Sequence, residues 1–210
     1  MTISRRSTAA LVTYLKLVVF SAALWPFLWL VWGIFHDGLG ADPVDTITRV
    51  TGDWGLRFLL LSLAVTPLRR LTGWQQLQRL RRMLGLFGFF YVCLHFLTWA
   101  LFDHSLDVAT MLEDVLERPY ITVGFLALVL LIPLAVTSTR SMMRRLGRNW
   151  QRLHRLAYPI AGLGVLHFWW LVKADITEPL IYALILVGLL AIRLVLWRRR
   201  RQVAARLAVG

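Results

Sequence analysis

The 210-residue sequence contains one cysteine, Cys93, and only 11 acidic residues against 24 Lys and Arg. A single cysteine excludes an internal disulfide and any four-cysteine iron–sulfur or zinc site. Charge of either sign is scarce: charged residues make up 17% and hydrophobic residues 58%, with a mean hydropathy of +0.64. An ordinary soluble domain has roughly 25% charged and 45–50% apolar residues, so that class is excluded. A disordered chain is excluded too, because so much apolar surface collapses. The net charge of +13 would suit a nucleic-acid binder if the basic residues formed a patch on a polar surface. Instead they form short clusters between long apolar runs, which points to an all-α membrane protein with no nucleic-acid partner. No internal repeat is visible, and no low-complexity stretch exceeds Arg198 to Arg201, a run suited to anionic headgroups.

A membrane-spanning helix needs about 20 mostly apolar residues. Six segments approach that length: Leu11 to Phe35, Trp54 to Leu68, Met83 to Phe102, Tyr120 to Thr137, Leu153 to Val172 and Ile176 to Trp197. The second is cut short by Pro67, Arg69 and Arg70, and tilt or local thinning accommodates it. The first follows Arg5 and Arg6 as a signal peptide would, but its apolar run continues without an obvious small-residue cleavage site, so a retained helix is expected. Lys and Arg near span ends mark the cytoplasmic side. In the six-span arrangement, 20 of the 24 basic residues fall on one side and all 11 acidic residues on the other. The expectation is a single-domain bundle of six transmembrane helices with cytoplasmic N and C termini. Trp25, Trp29 and Trp32 share one face of the first helix at i, i+4 and i+7, a stripe that suits lipid or bundle packing.

Ionisable groups at bilayer depth are costly and are therefore functional candidates. No Asp or Glu falls inside a proposed span, which weighs against proton pumps and cation-coupled transporters. Arg57 and Arg193 lie near span ends and are expected to snorkel. Histidines remain. His95 on the third span and His167 on the fifth should lie at similar depth, toward the outer side. Two neutral imidazoles on facing apolar helices are what a six-coordinate haem iron needs, whereas core packing would leave each of them hydrogen-bonded. His154 begins the fifth span 13 residues before His167, a rise of about 20 Å, so it suits a second cofactor nearer the cytoplasm. No histidine of the third span matches its level, where Arg81 and Arg82 stand. Gly85, Gly88, Gly162 and Gly164 flank the histidines and suit close approach of a porphyrin or of another helix. Cys93 points to a different face from His95. His36 and His104, at span ends among acidic residues, are expected to face solvent and are excluded from the site.

The run Arg81-Arg82-Met83-Leu84-Gly85-Leu86 leading to Phe90-Tyr91-Val92-Cys93-Leu94-His95, followed by Asn149-Trp150-Gln151-Arg152-Leu153-His154-Arg155-Leu156-Ala157-Tyr158-Pro159 and His167-Phe168-Trp169, resembles the ferric-reductase-like transmembrane superfamily. Within it, the pattern resembles the MsrQ family of haem-binding membrane subunits. The resemblance implies that His95 and His167 ligate one b-type haem and that His154 helps hold another group, so that one haem or two are carried. It also implies FMN. The cytoplasmic arginines suit its phosphate, although topology alone explains them and no FMN residue is assigned. Larger relatives carry two histidines on each ligand helix and append flavin and nicotinamide domains. Here no Rossmann-type phosphate loop is present, since Gly38-Leu39-Gly40 and Gly162-Leu163-Gly164 lack a strand–turn–helix context. An external donor is therefore expected, either the quinone pool or a cytoplasmic flavin reductase.

By the same resemblance the acceptor is a periplasmic molybdopterin-containing methionine sulfoxide reductase, MsrP, and the chain is the electron-transfer subunit of that complex, not its catalytic subunit. Three other readings stay open on the sequence. A stand-alone ferric or cupric reductase shares the haem and differs in acceptor. A small transporter would use the histidines to line a polar path. A structural anchor would keep them as core residues.

Overall fold

The computed structural model describes residues 5–172 and 175–207, with side chains for residues 10–172, 175–199, 201 and 202. Of the arginines used to argue topology, the side chains of Arg5, Arg6, Arg200 and Arg206 lie outside the described residues. The described chain is helical throughout, with no strand. The α-helices are α1 (Arg5–Phe35), α2 (Pro43–Thr72), α3 (Arg81–Thr98), α4 (Val108–Glu117), α5 (Pro119–Val136), α6 (Arg140–Leu146), α7 (Arg148–Leu153), α8 (Ala157–Leu171) and α9 (Thr177–Leu207). A 3-10 turn at Gln75–Arg79 leads into α3, a π-helical turn at Trp99–Asp103 extends it, and a second 3-10 turn at His154–Leu156 joins α7 to α8.

Local chemistry sets these boundaries. Asp42 caps α2 by accepting the Asp45 N–H at 3.0 Å, with Pro43 at the first helical position, and Gly73 ends the helix at φ +72°. Pro119 likewise opens α5. Among the described residues, four helices are long and apolar enough to cross a membrane: Ala10–Phe35, Gln75–Asp103, Pro119–Val136 and Thr177–Arg199. The chain is thus a multi-pass membrane protein. The segments expected at 54–68 and 153–172 are helical but differ from those four. The first lies inside the 30-residue α2, whose ends carry Asp45, Arg49, Asp53, Arg69 and Arg70, and the second is the 15-residue α8 after its 3-10 turn.

Four helices form the centre. Helix α3 packs on α2 and α5, and α8 packs on α5 and α2, so α3 and α8 face each other across the bundle. Glycine permits the tight α2–α3 approach. A Cβ on Gly55 would come within 2.9 Å of Val92, and one on Gly88 within 3.1 Å of Leu59. Gly164 meets Leu56 at 3.3 Å in the same way. Gly88 and Gly164 therefore serve helix packing, whereas Gly85 has only Ser62 Oγ at 3.5 Å and Gly162 has nothing within 4 Å.

Helix α9 covers α2 and α8, and α1 lies against α2 and α3. The tryptophan stripe of α1 points away from the bundle, with Trp25 67% exposed, as a lipid-facing stripe would. Pro26 interrupts the α1 hydrogen-bond ladder, and Tyr91 of α3 repairs it. Its fully buried hydroxyl accepts the Phe27 N–H at 3.1 Å and donates to the Ala23 carbonyl at 2.8 Å.

Two expectations for arginine resolve differently. Arg57 lies midway along α2 rather than at a helix end, held by Asp53 at 3.2 Å and by donation to the Tyr182 hydroxyl at 2.7 Å. Arg193 does not snorkel. Its guanidinium turns inward over the Tyr158 ring and donates to the Tyr158 hydroxyl and the Leu63 carbonyl.

Candidate functional site

His95 and His167 come together between α3 and α8, with ring centres 6.1 Å apart and ring planes at 78°. Each ring is fixed from behind by a backbone carbonyl. His95 Nδ1 lies 2.9 Å from the Thr48 oxygen on α2, and His167 Nδ1 lies 2.7 Å from the Tyr120 oxygen on α5. A carbonyl only accepts, so Nδ1 carries the proton in both rings and each Nε2 presents a lone pair. A metal-ligating histidine is commonly oriented in this way, its other ring nitrogen donating to a backbone carbonyl.

Glycine makes room for both rings. A Cβ on Gly52 would stand 3.1 Å from His95 Nδ1 and Cε1, and one on Gly124 would stand 2.7 Å from His167 Nδ1. The two halves follow one plan. In each, the carbonyl residue precedes its histidine by 47 positions, and the glycine follows the carbonyl residue by one helical turn. Helices α2 and α3 thus hold His95 as α5 and α8 hold His167. Sequence reading found the two histidines but missed Thr48, Gly52, Tyr120 and Gly124, and saw no repeat. The available signal was the i, i+4 spacing of Thr48 to Gly52 and of Tyr120 to Gly124, which is invisible without the paired histidines because only a carbonyl and a missing side chain are used.

The pair fits a haem iron. Two imidazoles on opposite faces of one metal stand about 6 Å apart centre to centre, from metal–nitrogen bonds of about 2 Å and roughly 1.1 Å from nitrogen to ring centre. Among the described residues, no group of three or more His, Cys, Asp or Glu is placed to hold a metal ion.

His154 is not part of this pair. It sits in the 3-10 turn before α8, stacked on Trp150 with ring centres 4.0 Å apart. Its Nε2 lies 3.1 Å from Thr137 Oγ1, whose own proton goes to the Pro133 carbonyl at 2.6 Å. The imidazole therefore donates through Nε2 and keeps its lone pair on Nδ1, the opposite tautomer from His95 and His167. Trp150 Nε1 donates to the Thr137 carbonyl at 3.0 Å, which ties the same turn to the end of α5. Cys93, half-buried, belongs to neither group.

The expectation for His104 is overturned. It is not solvent-facing: its side chain is 13% exposed, 3.2 Å from Asp114 and packed on Trp99. Asp114 also binds Arg118 at 2.7 Å. The Tyr120 hydroxyl and Asp114 together raise the Arg118 pKa. Sequence proximity to acidic residues suggested exposure, but the turn through Ser105 and Leu106, both at positive φ, folds His104 back onto α4. His36 is exposed, stacked on Trp32 at the end of α1.

The family model described as the ferric reductase like transmembrane component matches residues 51–165, more than half of the chain. Over most of its length the chain is also similar to proteins named protein-methionine-sulfoxide reductase heme-binding subunit MsrQ. It is 56% identical to that of Herminiimonas arsenicoxydans over 192 residues, covering 90% of this chain and 88% of that one. With the Bordetella pertussis protein it shares 52% over 199 residues, covering 94% and 97%. The chain belongs to the MsrQ family. The MsrQ protein of Rhodospirillum rubrum is 54% identical over 188 residues, covering 89% of this chain and 90% of that protein. The matched ferric-reductase segment includes His95 and His154 and stops two residues short of His167.

Proposed function

We propose that this chain is the haem-bearing electron-transfer subunit of a protein-methionine-sulfoxide reductase system. In this reading residues 1–210 form a single domain of six spans with cytoplasmic termini in the bacterial inner membrane. Electrons enter from the quinone pool or a cytoplasmic flavin reductase and leave to a periplasmic molybdopterin-containing partner, MsrP, for repair of oxidised periplasmic proteins. The subunit does no bond-making chemistry on the sulfoxide.

The observation that carries this reading is the His95–His167 pair, 6.1 Å apart, with each Nδ1 tied to a backbone carbonyl. These residues would hold haem b, which supplies reversible one-electron carriage when bound. The chain contributes position and environment. The Thr48 and Tyr120 carbonyls fix both tautomers, Gly52 and Gly124 set how far each ring recedes, and the apolar bundle excludes water. His154, with Nδ1 open, would help hold a second group nearer the basic end, either another haem or FMN. The acidic residues 103–117 and 175–178 supply a surface that steers a basic partner.

Inverted or proteoliposome preparations, supplied with a quinol or a reduced flavin, test the reading by reduction of added catalytic subunit. Wild-type chain should deliver electrons, and His95→Ala or His167→Ala should deliver none. Undiminished delivery by either variant would contradict it. Offering ferric citrate in place of the partner separates this reading from a stand-alone metalloreductase.

A further inference from the structure

Arg193 is a half-buried cation with no carboxylate partner among the described residues. Its guanidinium spans α8 and α2, donating to the Tyr158 hydroxyl and, at 2.6 Å, to the Leu63 carbonyl. Among the described residues its Nε is buried with no hydrogen-bond partner, and so is Thr66 Oγ1. Thr66 lies three residues beyond Leu63 on α2 and Arg70 four beyond that, so all three share one helix face. Arg70 and Arg81 both add positive potential at Arg193. All 11 carboxylates lie in residues 37–53, 103–117 and 175–178, at the other ends of these helices. On α8, Gly162 stands one turn beyond Tyr158, and a Cβ added there would meet nothing within 4 Å.

A cation drawn away from water, crowded by like charges and left with unused donors, is costly unless an anion completes it. A structural role alone would be satisfied by the Tyr158 and Leu63 contacts. It would not explain a second orphaned donor, Thr66, on the same face, or the convergence of Arg70 and Arg81. We propose that α2, α8 and α9 form an oxyanion site at the basic end of the bundle, which binds one phosphate group through Arg193 and Thr66, with Arg70 at its mouth. Guanidinium forks suit phosphate oxygens in this way. The phosphate comes either from an anionic phospholipid or from a water-soluble organophosphate. The site is separate from the histidine pair and does not depend on what that pair binds.

The full-length chain is purified in a phosphate-free, lipid-depleted detergent buffer, and its thermal midpoint is followed as Cys93 becomes reactive to a thiol dye. Two probes are titrated: inorganic phosphate, and phosphatidylglycerol against a phosphatidylcholine control. The expected result is a saturable rise of the midpoint. A rise with inorganic phosphate assigns a soluble source, and one with phosphatidylglycerol alone assigns lipid. Arg193→Gln and Thr66→Val should weaken the apparent affinity at least tenfold, whereas Arg144→Gln at the same end of the bundle should leave it unchanged. Thr66→Val keeps the Arg193 contacts and carries the test if Arg193→Gln fails to fold. No saturable shift with either probe, or an unchanged shift in Thr66→Val, would overturn the proposal.

Discussion

Gly124→Ala puts one methyl group where the site has no space for it. The new Cβ would stand 2.7 Å from His167 Nδ1, 2.9 Å from Cε1 and 3.1 Å from Cγ, whereas ordinary contact begins at 3.4 Å. The imidazole must therefore recede by about 0.7 Å, several times the roughly 0.2 Å tolerance of a metal–ligand distance. Receding also disturbs the 2.7 Å bond from Nδ1 to the Tyr120 carbonyl, and a buried group left unpaired costs about 1–3 kcal/mol. Alanine gains about 1 kcal/mol in helix propensity over glycine, so the net loss falls on the site more than on the fold. The assay is haem per chain, with the low-spin visible spectrum, in detergent-purified protein. Gly124→Ala should lose most of its haem or its low-spin bands. Gly52→Ala, at 3.1 Å from His95, should lose less, and Gly188→Ala, with nothing within 4 Å, should match wild type. Wild-type haem and spectrum in Gly124→Ala, or equal loss in Gly188→Ala, would refute the argument.

Tyr91→Phe removes the hydroxyl that bridges Phe27 N–H and the Ala23 carbonyl, leaving two buried backbone groups unpaired at about 1–3 kcal/mol each. Its thermal midpoint in detergent should fall clearly, and an unchanged midpoint would show that α1 does not need the bridge. Asp114→Ala strips His104 and Arg118 of their shared carboxylate. Limited proteolysis between α3 and α5 should accelerate while haem content holds, whereas unaltered cleavage would remove that triad from the account of the loop. Thr137→Val takes away the His154 Nε2 partner, so a bound second group, if it is held by His154, should change in stoichiometry or spectrum while the His95–His167 pair keeps its own. A response confined to that pair would place His154 outside any cofactor site.

The histidine pair was legible in the sequence because burying an imidazole in an apolar helix is costly enough to mark it, and counting residues from the span ends fixes its depth. The helical class was legible from the length of the apolar runs. The shell around the pair was not. Thr48 and Tyr120 act through backbone oxygens that any residue supplies, and Gly52 and Gly124 act through what they lack. The inward turn of Arg193 escaped for a related reason: nearness to a span end suggests water, but the Tyr158 hydroxyl and Leu63 carbonyl compete only once α8 and α2 are packed beside it. His104 shows the reverse error, since an acidic neighbourhood reads as exposed until a turn with positive φ folds it onto Asp114.

The central claim is that His95 and His167 together hold one haem. The most direct test is the dithionite-reduced minus oxidised spectrum of purified protein, with haem quantified per chain, for wild type and for His95→Ala, His167→Ala and His154→Ala. The account predicts b-type low-spin bands in wild type, their loss in both His95→Ala and His167→Ala, and their survival in His154→Ala. Full haem content with unchanged bands in His95→Ala or His167→Ala would contradict it.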